Sequence, residues 1–193
     1  MNLNQILIDT KAVHINTEEL FTWTSGIKSP IYCNNRLLIS YPEYRNFIVS
    51  EFIKVIKTDF PETQILAGTA TAGIPWAAFI AHEMNLPMIY IRSKAKGHGL
   101  KSALEGDFKP NQNTLIIEDL ISTGKSSKTA LDHAINDGLI VKGVLALFSY
   151  NLKKSKELLD LPVRTLATID TLMMDESFSQ AQKESVLSFR DGL

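Results

Sequence analysis

An α/β fold built on a doubly wound parallel sheet of five strands is what the sequence predicts, on three observations. Five apolar runs of strand length occur at Gln64–Ala67, Pro87–Ile91, Thr114–Glu118, Lys142–Phe148 and Val163–Ile169. Helix-periodic stretches separate them at Ile74–Met84, Lys125–Asn136 and Lys153–Leu159, and strands joined by helices imply crossovers, hence a parallel sheet covered on both faces. Each chemically suggestive segment after residue 60 follows a strand directly. That is the carboxyl edge of the sheet, where ligands bind in such folds.

Bulk properties agree with one unit of this kind. The chain has 193 residues, 45% of them hydrophobic, so the material for a core is ample. A formal net charge of −1 argues against bulk nucleic-acid binding, which needs a strongly basic surface. The single cysteine, Cys33, excludes an internal disulfide and a multi-cysteine metal site. No run approaches the roughly 18 apolar residues of a membrane span, and no signal peptide is evident. A cytoplasmic location without a membrane partner is the expectation.

Taken in order, Asn2 to Val13 is expected to be a helix, with apolar positions at Leu3, Ile6, Leu7 and Val13. Pro42 sits where a helix can begin, because its missing N–H costs nothing at the first turn. Tyr44, Phe47, Ile48, Phe52, Val55 and Ile56 follow at helical spacing. The five strands and three helices come next. A last helix is expected around Ser177–Leu187.

The richest stretch is Thr114 to Ser127. Leu115, Ile116 and Ile117 read as a buried strand that runs into two adjacent carboxylates, Glu118 and Asp119. A polar, glycine-containing turn then opens a helix with Ala130, Leu131, Ala134 and Ile135 on one face. Backbone N–H groups at such a turn have no partner inside the helix and so can hold a phosphate dianion. The carboxylates can accept hydrogen bonds from sugar hydroxyls or face a metal. Gly124-Lys125-Ser126 is not a P-loop, because the position five residues before Gly124 is Asp119 rather than glycine.

Three other segments carry chemistry. Gly68 to Gly73 is a turn of small residues whose amides can approach an anion closely, although a packing turn explains it about as well. Arg92 to Lys101 gathers Arg92, Lys94, Lys96, His98 and Lys101 on a glycine-containing loop with no acid before Glu105. Cations there can close over a polyanion and neutralise a leaving group, and a histidine can exchange protons with phosphate near neutrality. The other histidines, His14, His82 and His133, are assigned structural roles. Phe21 to Asn34 places Lys28 between Ser-Gly and Ser-Pro turns, with Tyr32 close behind.

The acidic stretch resembles the signature of the type I phosphoribosyltransferases, in which two carboxylates after a strand precede a Thr-Gly phosphate loop. Gly68–Gly73 resembles their pyrophosphate loop, with Thr71 and Ala72 at its centre. The basic run is similar to a flexible catalytic loop. Phe21–Asn34 is similar to the N-terminal substrate motif of the orotate phosphoribosyltransferases, Phe-x-x-x-Ser-Gly-x-x-Ser-Pro-x-Tyr with lysine before Ser-Pro. The resemblance covers about residues 20–152.

This resemblance implies one domain over residues 1–193: a small N-terminal hood (about 1–40), a core (about 41–170) and a C-terminal helix (about 171–193). It implies transfer of a phosphoribosyl group from phosphoribosyl pyrophosphate to orotate in pyrimidine biosynthesis. Magnesium would be held mainly by the substrate diphosphate, with no direct protein ligand. Lys96, His98, Glu118 and Asp119 would be catalytic. Binding of the two substrates would fall to Lys28, Tyr32, Thr71, Ala72, Arg92, Lys94, Leu120, Ile121, Ser122, Thr123, Gly124, Lys125 and Ser126, together with the catalytic residues. Within that set Glu118 and Asp119 would hold the ribose, residues 122–127 the 5′-phosphate, and Ser122 also orotate. Loop 92–105 would be shared between the subunits of a homodimer.

Three positions depart from the pattern. Ser93 stands where some members have lysine, Ser149-Tyr150-Asn151-Leu152 lacks an arginine that some use for orotate, and Lys125 replaces a common glycine. A purine or uracil transferase would leave Phe21–Asn34 and the basic loop without a reason. A regulatory protein without catalysis would tolerate losing the loop and would often add a nucleic-acid-binding surface.

Overall fold

The computed structural model describes residues 2–93 and 102–193. In chain order the elements are α1 (Leu3–Asp9), β1 (Val13–Ile15), β2 (Phe21–Thr22), β3 (Lys28–Ser29), β4 (Ile31–Cys33), a 3-10 helix (Asn35–Ser40), α2 (Pro42–Asp59), β5 (Ile65–Thr69) and α3 (Gly73–Met84). There follow β6 (Met88–Ile91), β7 (Leu104–Glu105), β8 (Asn113–Ile121), α4 (Lys125–Asn136), β9 (Ile140–Ser149), α5 (Lys153–Leu158), β10 (Val163–Thr168), α6 (Ile169–Leu172) and α7 (Gln180–Asp191).

The central sheet has the order β10-β9-β8-β5-β6-β7. Its first five strands are parallel, as predicted. The sixth, β7, pairs antiparallel with β6 through Tyr90 opposite Glu105 and Ile91 opposite Leu104. A two-residue strand carries no apolar period, so the sequence could not announce it. Two further antiparallel pairs, β1 with β4 and β2 with β3, form before the sheet begins.

The alternation of side chains along each strand divides the core. Leu115 and Ile117 of β8 face the cluster that holds Phe52 of α2 and Trp76 and Ile80 of α3. Ile116, between them, faces the cluster with Ile65, Ala67, Val144 and the α4 residues Ala130, Leu131 and Ala134. Both faces are therefore covered, the condition a parallel sheet needs. Ile135, assigned to the buried stripe of α4, is instead exposed.

Several boundaries differ from expectation, among them β5, which runs on through Gly68 and Thr69. The first helix stops at Asp9, and Lys11 takes a left-handed φ of 53° that turns the chain back, so Val13 and His14 lie on β1. β8 runs three residues past Glu118, with Leu120 opposite Phe148 and Ile121 opposite Ser149. β9 is also longer than expected and supplies the backbone partners that extend β8. The C-terminal helix begins at Gln180, where Ser179 and Gln182 form a reciprocal capping box. Among the described residues no helix is long and apolar enough to cross a membrane.

Candidate active site

Because β8 continues through Asp119, its two adjacent carboxylates project to opposite faces of the sheet. Glu118 is buried toward α4, where the Ser127 hydroxyl donates to its Oε1 at 3.1 Å. Burial pushes its pKa up to about 7, the neighbouring Asp119 charge adds to the rise, and hydrogen bonds from the Thr69 and Ser127 hydroxyls oppose it. Asp119 faces the N-terminal strand pairs. Burial raises its pKa too, while the Arg36 guanidinium and the amides of Asp119 and Leu120 pull it back.

The turn after β8 is shaped for an anion. Gly124 holds φ at +79°, a left-handed value that side chains rarely adopt, and a Cβ there would lie 3.2 Å from Ser155 Cα. No side chain caps α4, so the N–H groups of its first turn face the loop without an intramolecular cap. Thr123 is buried, whereas Lys125 and Ser126 are exposed. The hydroxyl of Ser127 turns inward to Glu118, which leaves only its backbone N–H for a phosphate.

Two clefts flank this turn. One of about 160 Å³ lies over β5 and β6, lined by Thr69, Ala70, Arg92, Ser93, Lys125 and Ser126 among others. Beside it the loop around Thr71 and Ala72 leads into α3, and the Ala70–Thr71 peptide is cis. Helix α3 seats tightly on β8 here, since a Cβ on Gly73 would come within 2.4 Å of the Ile117 carbonyl oxygen. Arg92 pairs with Glu105 across 3.4 Å, joining β6 to the edge strand.

The second cleft, about 240 Å³, lies between the N-terminal strands and the end of β8. Asp119, Leu120 and Ser122 form one wall, and Tyr32, Asn35 and Arg36 form the other. Beneath them Tyr150 stacks on Trp23 with centroids 4.3 Å apart and accepts the Cys33 N–H at 3.0 Å. Burial pushes the Cys33 thiol up to about 12, so it is not a nucleophile at neutral pH. The Asn35 amide is buried and donates to the Asp119 carbonyl at 2.9 Å, tying the N-terminal wall to β8. A larger cavity of about 460 Å³, between α2 and α3, lies away from the carboxyl ends of the strands.

The structure thus brings Tyr32, Asp119, Leu120 and Ser122 to one cleft, and Arg92, Lys125 and Ser126 to the other. Ile121 is buried under the loop. Lys28 lies on β3, exposed, with its ammonium donating to Thr22 at 2.7 Å, outside the lining of either cleft. Lys94, Lys96 and His98 fall outside the described residues. Sequence reasoning passed over Asn35, Arg36, Thr69 and Tyr150. Their partners Asp119, Glu118, Cys33 and Trp23 are 49 to 127 positions away, and no local pattern marks such contacts. Among the described residues no group of three or more histidine, cysteine, aspartate or glutamate side chains gathers to hold a metal.

No family model matches the chain. It is 44% identical over 199 aligned positions to an orotate phosphoribosyltransferase of Staphylococcus epidermidis, covering 100% of this chain and 98% of that one. A crystal structure of orotate phosphoribosyltransferase from Aeropyrum pernix superposes with a TM-score of 0.79 at 26% identity, over 89% of this chain and 96% of that one. A Leishmania donovani UMP synthase superposes with a TM-score of 0.85 at 28% identity; the match covers 99% of this chain but only 42% of that longer one.

Proposed function

The chain belongs to the orotate phosphoribosyltransferase family, and from that premise we propose how its site moves a 5-phosphoribosyl group from phosphoribosyl pyrophosphate to orotate. The products are orotidine 5′-monophosphate and pyrophosphate, a step of pyrimidine biosynthesis. One observation supports the assignment of roles above the others: an uncapped helix and a left-handed glycine sit between two clefts, with a carboxylate facing each way.

In this reading residues 122–127 bind the 5′-phosphate, chiefly through backbone N–H groups, as charge-assisted hydrogen bonds at a helix N-terminus. Asp119 and Glu118 hold the ribose hydroxyls. Their charge also favours the oxocarbenium-like ring that forms as the anomeric carbon loses its bond to pyrophosphate. Orotate lies in the larger cleft, beside Tyr32 and Ser122, and its ring nitrogen forms the new bond as it gives up a proton. Thr71, Ala72 and Arg92 hold pyrophosphate, and Lys94, Lys96 and His98 neutralise its growing charge. Lys28 is assigned to orotate by resemblance alone, since its ammonium donates to Thr22 outside the cleft lining.

Magnesium would be held mainly by the substrate diphosphate, where it would neutralise part of the charge. The donor set fits that arrangement, because Glu118 is already engaged by Ser127 and leaves Asp119, half-buried, as the more accessible carboxylate. The working form is a cytoplasmic homodimer in which loop 92–105 completes the neighbour's site.

The test is orotate consumption, followed by ultraviolet absorbance, with phosphoribosyl pyrophosphate and magnesium. Uracil, adenine and hypoxanthine are controls, and Lys96→Ala the variant. Turnover of orotate alone is expected, with kcat lowered about 10²- to 10³-fold in the variant. Binding of phosphoribosyl pyrophosphate without turnover of any base would instead make this a ligand-binding protein.

A further inference from the structure

We propose that Arg36 is the specificity-determining residue of the base site, the cation that binds the carboxylate of orotate; the proposal rests on the orotate reaction above. Orotate differs from uracil by one ring carboxylate. A site that selects it must place a cation against that group, because a desolvated carboxylate without a partner is costly. The segment 149–152, where an arginine would do this in similar proteins, contains none. Tyr150 and Leu152 are buried there, and Asn151 donates to Asp170 at 2.5 Å.

Arg36 is the one cationic side chain among the described residues that line the larger cleft. It shares that cleft with Ser122 and Asp119. Asp119 would repel an anionic base, so a cation must offset it for orotate to enter. The guanidinium already acts on Asp119, holding its carboxyl below where burial alone would put it. A planar guanidinium also matches a carboxylate with two parallel hydrogen bonds, which a lysine ammonium cannot do.

The backbone at this position is held, and it presents the exposed Arg36 side chain at the cleft. Arg36 follows Asn35 in the 3-10 helix, and Asn35 is buried with its amide bonded to the backbone of Asp119. The first turn of that helix is thereby fixed to the strand that ends at the phosphate turn. Lys28, the cation of Phe21–Asn34, has its ammonium on Thr22 and lies outside the cleft.

Arg36→Gln, Arg36→Lys, Lys28→Gln and the wild type are compared in steady-state turnover with orotate and in calorimetric binding of two nucleotides. Orotidine 5′-monophosphate carries the carboxylate and uridine 5′-monophosphate lacks it. Arg36→Gln is expected to lower kcat/KM for orotate roughly 10- to 150-fold, the loss of a hydrogen-bonded charge. Orotidine 5′-monophosphate binding should weaken in step, with uridine 5′-monophosphate binding and the KM for phosphoribosyl pyrophosphate unchanged. Arg36→Lys should fall between, and any loss in Lys28→Gln should be equal for the two nucleotides. An equal loss for both nucleotides would mark a structural role and overturn the proposal, as would a larger selective loss in Lys28→Gln. A wild type inert toward orotate would remove the reaction itself and Arg36's role with it.

Discussion

The Ser127 hydroxyl donates to Glu118 Oε1 across 3.1 Å, joining the first turn of α4 to the carboxyl end of β8. Nine residues separate the pair in sequence, yet together they close the inner side of the phosphate turn. The bond opposes the rise in the pKa of Glu118, a buried carboxyl pushed up to about 7 chiefly by desolvation.

Glu118 should therefore give kcat/KM for phosphoribosyl pyrophosphate an acid limb with an apparent midpoint near pH 7, since the carboxylate is the form that holds the ribose. Comparing pH profiles of the wild type and Glu118→Gln cancels the titrations of the substrate itself. The limb should be missing from the variant's profile; a limb identical in both would assign it elsewhere. Stability carries the opposite sign. Between about pH 4.5 and 7 the folded protein keeps a proton that the unfolded chain releases, so the stability due to this group falls as pH rises through that window. Urea midpoints across that range, again against Glu118→Gln, measure it.

Ser127→Ala removes one of the hydrogen bonds that favour the ionised carboxyl. The acid limb should move to higher pH and activity at pH 7 should drop. Unfolding should cost about 1–2 kcal/mol less, because a buried charged acceptor loses a donor. A pH profile that stays in place would show that the Thr69 hydroxyl and the Asp119 amide hold the ionised form without Ser127.

Gly124→Ala tests the phosphate turn. The left-handed φ of +79° penalises any side chain, and the new methyl would press on Ser155. A stability loss of about 1–2 kcal/mol is expected in chemical denaturation. The kinetic loss should fall on the KM for phosphoribosyl pyrophosphate while orotate is held saturating; an effect confined to orotate would move the phosphate site away from this turn.

Sharing of the basic loop across subunits is read by complementation. Lys96→Ala and Asp119→Asn, each nearly inactive alone, are unfolded together and refolded as a mixture. If the loop serves the partner's site, mixed dimers restore up to about a quarter of the sites. Activity that stays at the level of the separate variants would place each loop over its own subunit's site.

How much was legible follows from the range of the interaction. The apolar runs and their helical spacers determined the five parallel strands by themselves, because side-chain period is a property of neighbours along the chain. The same local grammar marked the phosphate turn at Gly124 and the start of α2 at Pro42. The reach of β8 past Glu118 was decided by backbone pairing with β9, which no residue of β8 encodes. That reach turned Glu118 and Asp119, adjacent in sequence, toward opposite sides of the sheet. It left one buried against Ser127 and the other in a cleft with Arg36. The second wall of that cleft came from the Asn35 amide meeting the carbonyl of Asp119, 84 positions away. Contacts of that range form only when the chain packs, so the sequence determined the chemistry that was available, and the tertiary structure decided which side chains share a site.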